Sequence, residues 1–392
     1  SHIVVSASGA GEGAAINVNP LINTYKGETI AQIIRSTVND SAITLQSDTD
    51  IKTRDIMVGV AVAGEGAALQ GLAIKNTYDT TTKSIIDENS TINTTNDITL
   101  NANSTANSNN WIAGLSFAGE GASVITNVLL NNIISDVETN ISNSNIKNAG
   151  KITLNTNKDK KDILKNYGIV ADGAGIGAAA AANVIYNIYE NNITSKIYNT
   201  SVGSSSSITA QAFSDRRITN YNIGIGATGI GANLLANALV NEIGTATIAT
   251  VDAQAKTIKS SGKLTVKAED NTFADNTMGF GVAAGLGVAI GSNINLYYSD
   301  NLAIADVKTS DGGQIDVGSA EISAYQTGGL DNTNVGVVAG LVGIAGDVVS
   351  VKLGKHLDYT DSEKKSGIED ADNRIKSIYN QNTDESERNF SC

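Results

Sequence analysis

Glycine-rich blocks, scattered carboxylates and two histidines are the parts of this 392-residue chain whose residue types could support chemistry. The segment Gly279-Phe-Gly281-Val-Ala-Ala-Gly285 resembles a dinucleotide fingerprint, in which glycines let the backbone approach a pyrophosphate. A cofactor site needs one such copy, between a strand and a helix. Similar blocks occur here seven times, which indicates an architectural role, and we expect no cofactor.

Catalytic side chains are hard to place in this sequence. The only histidines are His2 and His356, so a histidine-based nucleophilic mechanism is close to excluded. Paired carboxylates can hydrolyse glycosidic bonds, and Asp172, Asp215 and Asp252 are acids of that type. No cluster of acids interrupts the repeat of the chain, so we predict that it is not an enzyme. A β-helical enzyme acting on polysaccharide is one alternative.

Glutamates occupy the same position in three glycine-rich blocks, at Glu12, Glu65 and Glu120, and could in principle hold Ca²⁺. Calcium needs several oxygens within about 2.6 Å. If each repeat contains two or three coils, successive glutamates lie about 10 to 14 Å apart, as the strand spacing requires. We therefore expect exposed turn residues and no metal site.

A repeat of about 55 residues organises the chain. The anchor glycines of the seven blocks are spaced by 53, 55, 56, 54, 56 and 55 residues. A short alternating run, such as Ile98-Thr99-Leu100-Asn101-Ala102, recurs with the same period. Two landmarks that share one period define a structural unit. The anchors are Gly11, Gly64, Gly119, Gly175, Gly229, Gly285 and Gly340.

Alternation of apolar and polar residues in these runs predicts strands with one buried face. Short strands at a fixed repeat can stack in register on their equivalents in the next coil. The sequence thus predicts an all-β fold, a parallel β-helix (solenoid) of about seven units, with two or three coils in each unit. That would make it about 70 or 100 Å long. We place the repeat domain at 1–353, with units starting near 4, 57, 112, 168, 222, 278 and 334. The polar segment 354–392 is a linker, a tail or a short helix.

Two further columns follow from aligning the units. Eight residues after the anchor, five of seven units carry asparagine, predicting a turn column or a structural ladder. These residues are Asn19, Asn127, Asn183, Asn237 and Asn293. Eight residues before the anchor stand Trp111, Tyr167 and Tyr221. They are a candidate stripe for glycan or protein contact, and a core corner or turn cover is the alternative.

Charge and hydropathy limit the partners. The net charge of −13 argues against binding nucleic acid. Tyr221–Asn241 and Thr277–Ser299 contain no charge and are long enough to span a bilayer as helices. Their asparagines and glycines argue against a stable span, and a membrane-active toxin segment is a second alternative. The only cysteine is Cys392, which fits a reducing compartment or a chain exported unfolded through a pore.

The repeat unit resembles that of the leukotoxin-type filamentous adhesins, which are similar to filamentous haemagglutinins. The matching motifs are Gly64-Glu65-Gly66-Ala67-Ala68 with Ile98-Thr99-Leu100-Asn101-Ala102, and their equivalents from Gly175 and Ile208. The resemblance covers most of residues 4–353. It implies a right-handed parallel β-helix, export by an outer-membrane transporter of the two-partner type, and a secreted or cell-surface location. It further implies an adhesive or toxic role toward host cells, through a surface protein or glycan.

Overall fold

The computed structural model describes residues 1–310 and 312–353, and the polar segment 354–392 lies outside the described residues. Within this part every regular element is a β-strand. The strands are β1 (His2–Ile34), β2 (Thr37–Asn39), β3 (Ile43–Asp87), β4 (Thr91–Asn93), β5 (Ile98–Ser142), β6 (Asn145–Asn148), β7 (Lys151–Thr156), β8 (Asp162–Tyr198), β9 (Ser201–Val202), β10 (Ser207–Asp252), β11 (Thr257–Lys308), β12 (Gln314–Ala339) and β13 (Val342–Leu353).

Each repeat unit forms a single coil of a parallel β-solenoid. Met57 pairs with Ile112, Ile112 with Gly168, and Gly168 with Asn222, so the pairing partner always lies one full unit away. The prediction of two or three coils per unit is therefore wrong. Seven coils at the usual strand spacing are about 30 Å tall rather than 70 or 100 Å.

The long strands fold back on themselves at the glycine-rich blocks. In β3 the side chains of the two arms meet across a narrow interior: Thr82 Oγ1 donates to Thr49 Oγ1 at 2.8 Å, and Ser84 Oγ donates to Ser47 Oγ at 3.1 Å. The bend falls at Gly64–Gly66, where Gly66 has a φ of +110°. Each unit thus has an outgoing arm, a glycine bend and a returning arm. Arms of about 20 residues are about 65 Å long, which makes each coil broad and thin.

Close approach of backbones explains why the bend glycines repeat. A Cβ on Gly119 would lie 2.4 Å from the carbonyl oxygen of Gly64, and a Cβ on Gly121 would lie 2.0 Å from that of Gly66. Gly121 also has a positive φ of 122°, a backbone conformation that residues with a Cβ atom rarely adopt. The block that resembles a nucleotide loop, Gly279–Gly285, consequently belongs to the outgoing arm and leads into such a bend, where a Cβ on Gly285 would lie 2.7 Å from the carbonyl oxygen of Gly229.

Aliphatic side chains fill the end of the coil farthest from the bend. Ile98, Leu100, Ile152 and Leu154 are fully buried there, under the short strands β2, β4, β6 and β9. The alternating ITL-type runs thus supply the largest apolar cluster, as a period of two requires. Nearer the bend the two arms enclose smaller clusters of Ile, Leu, Met, Phe and Ala.

A double ladder of buried asparagines runs through the interior at mid-arm. On the returning arms, Asn131 Nδ2 donates to Asn187 Oδ1 at 2.9 Å, and on the outgoing arms Asn166 Nδ2 donates to Asn220 Oδ1 at 2.8 Å. Diagonal bonds join the two columns, for example Asn131 Nδ2 to Asn166 Oδ1 at 3.1 Å. The ladder thus links successive coils as well as the two arms. Its members are Asn23, Asn76, Asn131, Asn187 and Asn241 on one side and Asn110, Asn166, Asn220, Asn276 and Asn332 on the other.

Candidate functional site

The aromatic column lies on the outer face of the outgoing arms. Trp111, Tyr167 and Tyr221 pair with one another in successive coils. The Trp111 and Tyr167 ring centroids are 4.0 Å apart at 15°, and those of Tyr167 and Tyr221 are 5.2 Å apart at 4°. Trp111 and Tyr221 are each 38% exposed, so this column lies outside the core. The core corner that the sequence left open as an alternative therefore does not describe it.

Stacking limits what the aromatic column can bind. The rings cover one another's faces, and Trp111 Nε1 donates to Asn109 Oδ1 at 3.0 Å. A sugar that packs on a ring face therefore has no free face on Tyr167. The accessible surface is the row of ring edges, including the phenol oxygens. Such a row offers a polarisable stripe with hydroxyl groups, which suits a protein or an extended glycan lying along the axis.

Along the rim formed by the bends, glutamates in the first three coils are followed by aliphatic side chains in the next three. Glu12, Glu65 and Glu120 pair in successive coils, so they lie about 4.8 Å apart rather than 10 to 14 Å. The following coils place Ile176 and Ile230 at this position, about half exposed. In the described part of the chain no set of three or more His, Cys, Asp or Glu side chains has a metal-binding arrangement.

The predicted asparagine column points inward but forms only part of a ladder. Asn127, Asn183, Asn237 and Asn293 are fully buried. Asn127 Nδ2 donates to the carbonyl oxygen of Ile169 at 2.8 Å, and Asn237 Nδ2 donates to Asn293 Oδ1 at 3.1 Å. The Asn183 amide makes no hydrogen bond. Asn19, in the first coil, donates to Ser6 Oγ at 2.7 Å. The continuous ladder lies four residues further along each returning arm.

The three candidate acids do not share a site. Asp172 is buried between the arms, and no other described residue donates a hydrogen bond to its carboxylate. Burial raises the pKa of Asp172 to about 7. Asp215 pairs with Lys161 at 3.3 Å on the outer surface. Asp252 ends β10, where it accepts a hydrogen bond from the backbone N–H of Gln254 at 3.0 Å.

A buried charge cluster was not found from the sequence. Arg216 and Asp270 are fully buried, and Arg216 Nη2 lies 3.1 Å from Asp270 Oδ2. Arg216 also contacts Ser214 and lies over the Tyr189 ring at 5.9 Å. Asp162 accepts a hydrogen bond from the N–H of Ala106 at 2.9 Å, and burial raises its pKa to about 6 despite that bond and the nearby Arg216 charge. Full enclosure between the arms makes this cluster structural rather than substrate-binding.

One surface cleft breaks the repeat. Between Thr156 and Asp162 the coil whose bend contains Gly175 is two residues longer than its neighbours, and residues 157–161 leave the sheet as a loop. Beside it lies a cavity of about 560 Å³ lined by Lys158, Lys160, Phe213, Asp215 and Lys267, among others. The signal available in the sequence was the Lys158-Asp159-Lys160-Lys161 run directly after the KITLNT strand.

The long uncharged segments are strands rather than helices. Tyr221–Asn241 and Thr277–Ser299 form the bend halves of two consecutive coils, within β10 and β11. Among the described residues, none forms a helix with the length and apolarity needed to cross a membrane.

Comparison with family models, with curated proteins and with solved structures gave no match for this chain.

Proposed function

We propose that this chain is a structural and adhesive segment of a large secreted bacterial adhesin or leukotoxin of the filamentous-haemagglutinin type. The carrying observation is that each 53- to 56-residue repeat is one coil, so equivalent side chains lie about 4.8 Å apart in columns on the outer faces. A ligand that lies along such a column meets several copies of one contact. Many weak contacts then add up to a firm attachment.

The asparagine ladder supports the proposed structural role of the segment. Hydrogen bonds of 2.8–3.0 Å join each coil to the next within both columns from Asn76 to Asn276. Buried amide ladders resist shear between stacked strands because sliding one coil breaks every rung bond. A stack of this kind holds a distal region at a fixed distance and orientation from the bacterial surface.

Export through an outer-membrane transporter of the two-partner type fits the same design. Apart from its last residue the chain has no cysteine, so disulfides within it do not oppose passage of an unfolded polypeptide. Each coil takes its register from the edge of the coil before it, and a solenoid can therefore fold stepwise as it emerges. We propose a secreted or cell-surface location on these grounds.

The aromatic column is the proposed contact surface for a host-cell protein or glycan. Binding of the fluorescently labelled chain to human leukocytes and epithelial cells, measured by flow cytometry, tests this proposal. The variant Trp111→Ala/Tyr167→Ala/Tyr221→Ala is expected to bind several-fold less. The control Phe213→Ala/Phe273→Ala/Tyr325→Ala removes three other outward-facing aromatic side chains and should bind like the parent. Equal binding by the two variants would remove the column from the proposal, and absence of binding to every cell type would reject adhesion.

A further inference from the structure

The bend halves of units 4, 5 and 6 form a surface with no charge on it. Residues 218–241 and 276–299 contain no charged side chain, and residues 166–189 contain only Asp172, which points inward. The outward side chains of 167–186, 221–240 and 277–296 are Ile, Val, Leu, Ala, Tyr and Gly with a few hydroxyls. We call this surface the apolar edge. Ile225 is 57% exposed on the outgoing arm and Leu286 is 58% exposed at the bend.

The outward face of these arms is apolar, and the interior between them holds asparagines together with leucine, methionine and phenylalanine side chains. Asn222, Asn233 and Asn237 point into the narrow interior and are fully buried, whereas Ile223 and Leu234 point outward and are at least 36% exposed. An outward face of apolar side chains is what hydrocarbon favours in membrane-embedded strands. Large uncharged apolar surfaces of this kind mark contact sites on soluble proteins.

The shape of the apolar edge indicates what covers it. It is apolar on the outgoing face, along the rim at Ile176, Ile230 and Leu286, and on the returning face. A second copy of the chain, or a flat partner, covers one face and leaves the other two in water. A lipid bilayer surrounds an edge that projects into it, and it therefore covers the outgoing face, the rim and the returning face together.

Aromatic and charged residues mark the boundary of the apolar edge. Tyr167 and Tyr221 lie at its limit on the outgoing face and Tyr186 on the returning face. Lys165 precedes Tyr167 by two residues, and Arg217 precedes Tyr221 by four. Tyrosine and tryptophan rings favour the level of the lipid headgroups. From Tyr221 to the bend the strand has about eight residues, or about 25 Å, which is within the bilayer hydrocarbon thickness of about 30 Å.

The backbone of the apolar edge meets the main requirement of a hydrocarbon environment. Unit 5 pairs with unit 4 and with unit 6 along both arms, so its backbone hydrogen bonds are made within the sheet. Asn237 Nδ2 donates across the interior to the carbonyl oxygen of Gly279 at 2.8 Å, which keeps this inward amide out of contact with lipid.

We propose that the apolar edge of units 4–6 inserts into the hydrocarbon core of a neutral, phosphatidylcholine-type bilayer. The rim of units 1–3 stays outside the hydrocarbon because it carries Glu12, Glu65 and Glu120. The change from glutamate to aliphatic residues therefore sets which part of the rim enters the bilayer. The net charge of −13 repels anionic lipid and makes neutral lipid the matching surface.

Flotation of the chain with phosphatidylcholine vesicles tests the proposal, with Trp111, the only tryptophan, as an optical reporter. We expect the chain to float with the vesicles, a blue shift of Trp111 emission, and quenching by brominated phosphatidylcholine. Adding phosphatidylserine should weaken binding. The variant Ile176→Glu/Ile230→Glu/Leu286→Glu should bind at least about tenfold more weakly. The fold should tolerate it, because Glu120 occupies the same position in the preceding coil.

The matched control places three carboxylates in a column at the opposite end of the coil, through Thr91→Glu/Asn145→Glu/Ser201→Glu. This control should bind vesicles like the parent chain. Equal binding by the parent and the rim variant, or failure of the parent to float with neutral vesicles, would overturn the proposal. A lipid-free dimer, seen by light scattering and dissolved by the rim variant, would assign the surface to a second copy and would overturn it as well.

Discussion

Asn131 and Asn187 lie one coil apart in the interior, and Nδ2 of Asn131 donates a 2.9 Å hydrogen bond to Oδ1 of Asn187. Each of the two amides also bonds to the asparagine column of the facing arms, so the arms and the coils are joined by one network. Buried amides are costly unless they are bonded, and here every bond depends on correct register. A slip of one residue between coils would turn the asparagines outward and bring apolar side chains into their place.

Loss of one ladder asparagine should destabilise the stack strongly. In Asn131→Ala, the amides of Asn76 and Asn110 lose an acceptor, and the Asn166 and Asn187 oxygens lose a donor. Each of these four groups keeps one other partner in the ladder, so the variant loses four hydrogen bonds without leaving a group unsatisfied. At about 0.5–1.5 kcal/mol for each bond, we expect a loss of about 2–6 kcal/mol in the free energy of unfolding. Urea unfolding followed by circular dichroism measures it.

Asn183→Ala is the matched control for that experiment. Asn183 is equally buried, but its amide nitrogen and oxygen have no hydrogen-bond partner. Its removal should cost well under half as much as the loss of Asn131, because no side-chain hydrogen bond is lost. Similar costs for the two variants would mean that volume rather than the amide network sets the stability of the ladder.

Replacing a bend glycine with alanine should destabilise the chain far more than replacing an outward-facing glycine. A Cβ on Gly231, which has a φ of +129°, would lie 1.7 Å from the carbonyl oxygen of Gly177. A Cβ on Gly281 would have no atom within 4 Å. Gly231→Ala should therefore lower the melting temperature by many degrees, whereas Gly281→Ala should leave it within a few degrees of the parent. A tolerated Gly231→Ala would show that the bend can open without loss of the stack.

The period and the strand content could be predicted from the sequence, but the number of coils could not. The anchor glycines, the alternating runs and the parallel stacking all follow from repetition. A strand that turns back at Gly64–Gly66 without a polar loop looks like two strands in sequence, so the sequence predicts several coils per unit. The ladder had a signal as well. Twelve residues after the first five anchor glycines stand Asn23, Asn76, Asn131, Asn187 and Asn241.

Surface features were predicted less well than the repeat, for a physical reason. The aromatic column could be found because equivalent positions align. Which arm residues face outward depends on the pairing across the interior, and near the bend this pairing leaves apolar side chains on both faces of the arms. The ion pair of Arg216 and Asp270 joins two different units, so alignment of equivalent positions does not reveal it.

Replacing one member of the buried ion pair should lower the free energy of unfolding strongly, whereas replacing both members should lower it only a little. Arg216→Met leaves the Asp270 carboxylate buried with only hydroxyl donors, Thr272 at 2.9 Å and Thr247 at 3.4 Å. Losing one partner of a buried pair costs about 3–5 kcal/mol. Adding Asp270→Ser, the residue that Ser214 supplies one coil earlier, should recover most of that loss. Thermal unfolding of the single and double variants measures this, and additive losses would contradict it.

Asp172 should make the stability of the chain depend on pH near neutrality. Its pKa is raised to about 7 by burial, whereas an unfolded chain has a pKa of about 4 for aspartate. The folded state therefore holds this proton more tightly than the unfolded state. The stabilising contribution is complete below about pH 4 and is lost as the pH rises through about 7, which amounts to at most about 4 kcal/mol.

Replacing Asp172 with serine, the residue that Ser116 supplies in the preceding coil, removes this titration. The free energy of unfolding of Asp172→Ser minus that of the parent should rise between pH 4.5 and pH 8 and then level off. Asp162, whose pKa is raised to about 6, titrates in both proteins, so its contribution cancels in the difference. Thermal or urea unfolding across this pH range gives the values. A difference that stays constant with pH would show that Asp172 is already ionised in the folded chain, with water or a counter-ion beside it.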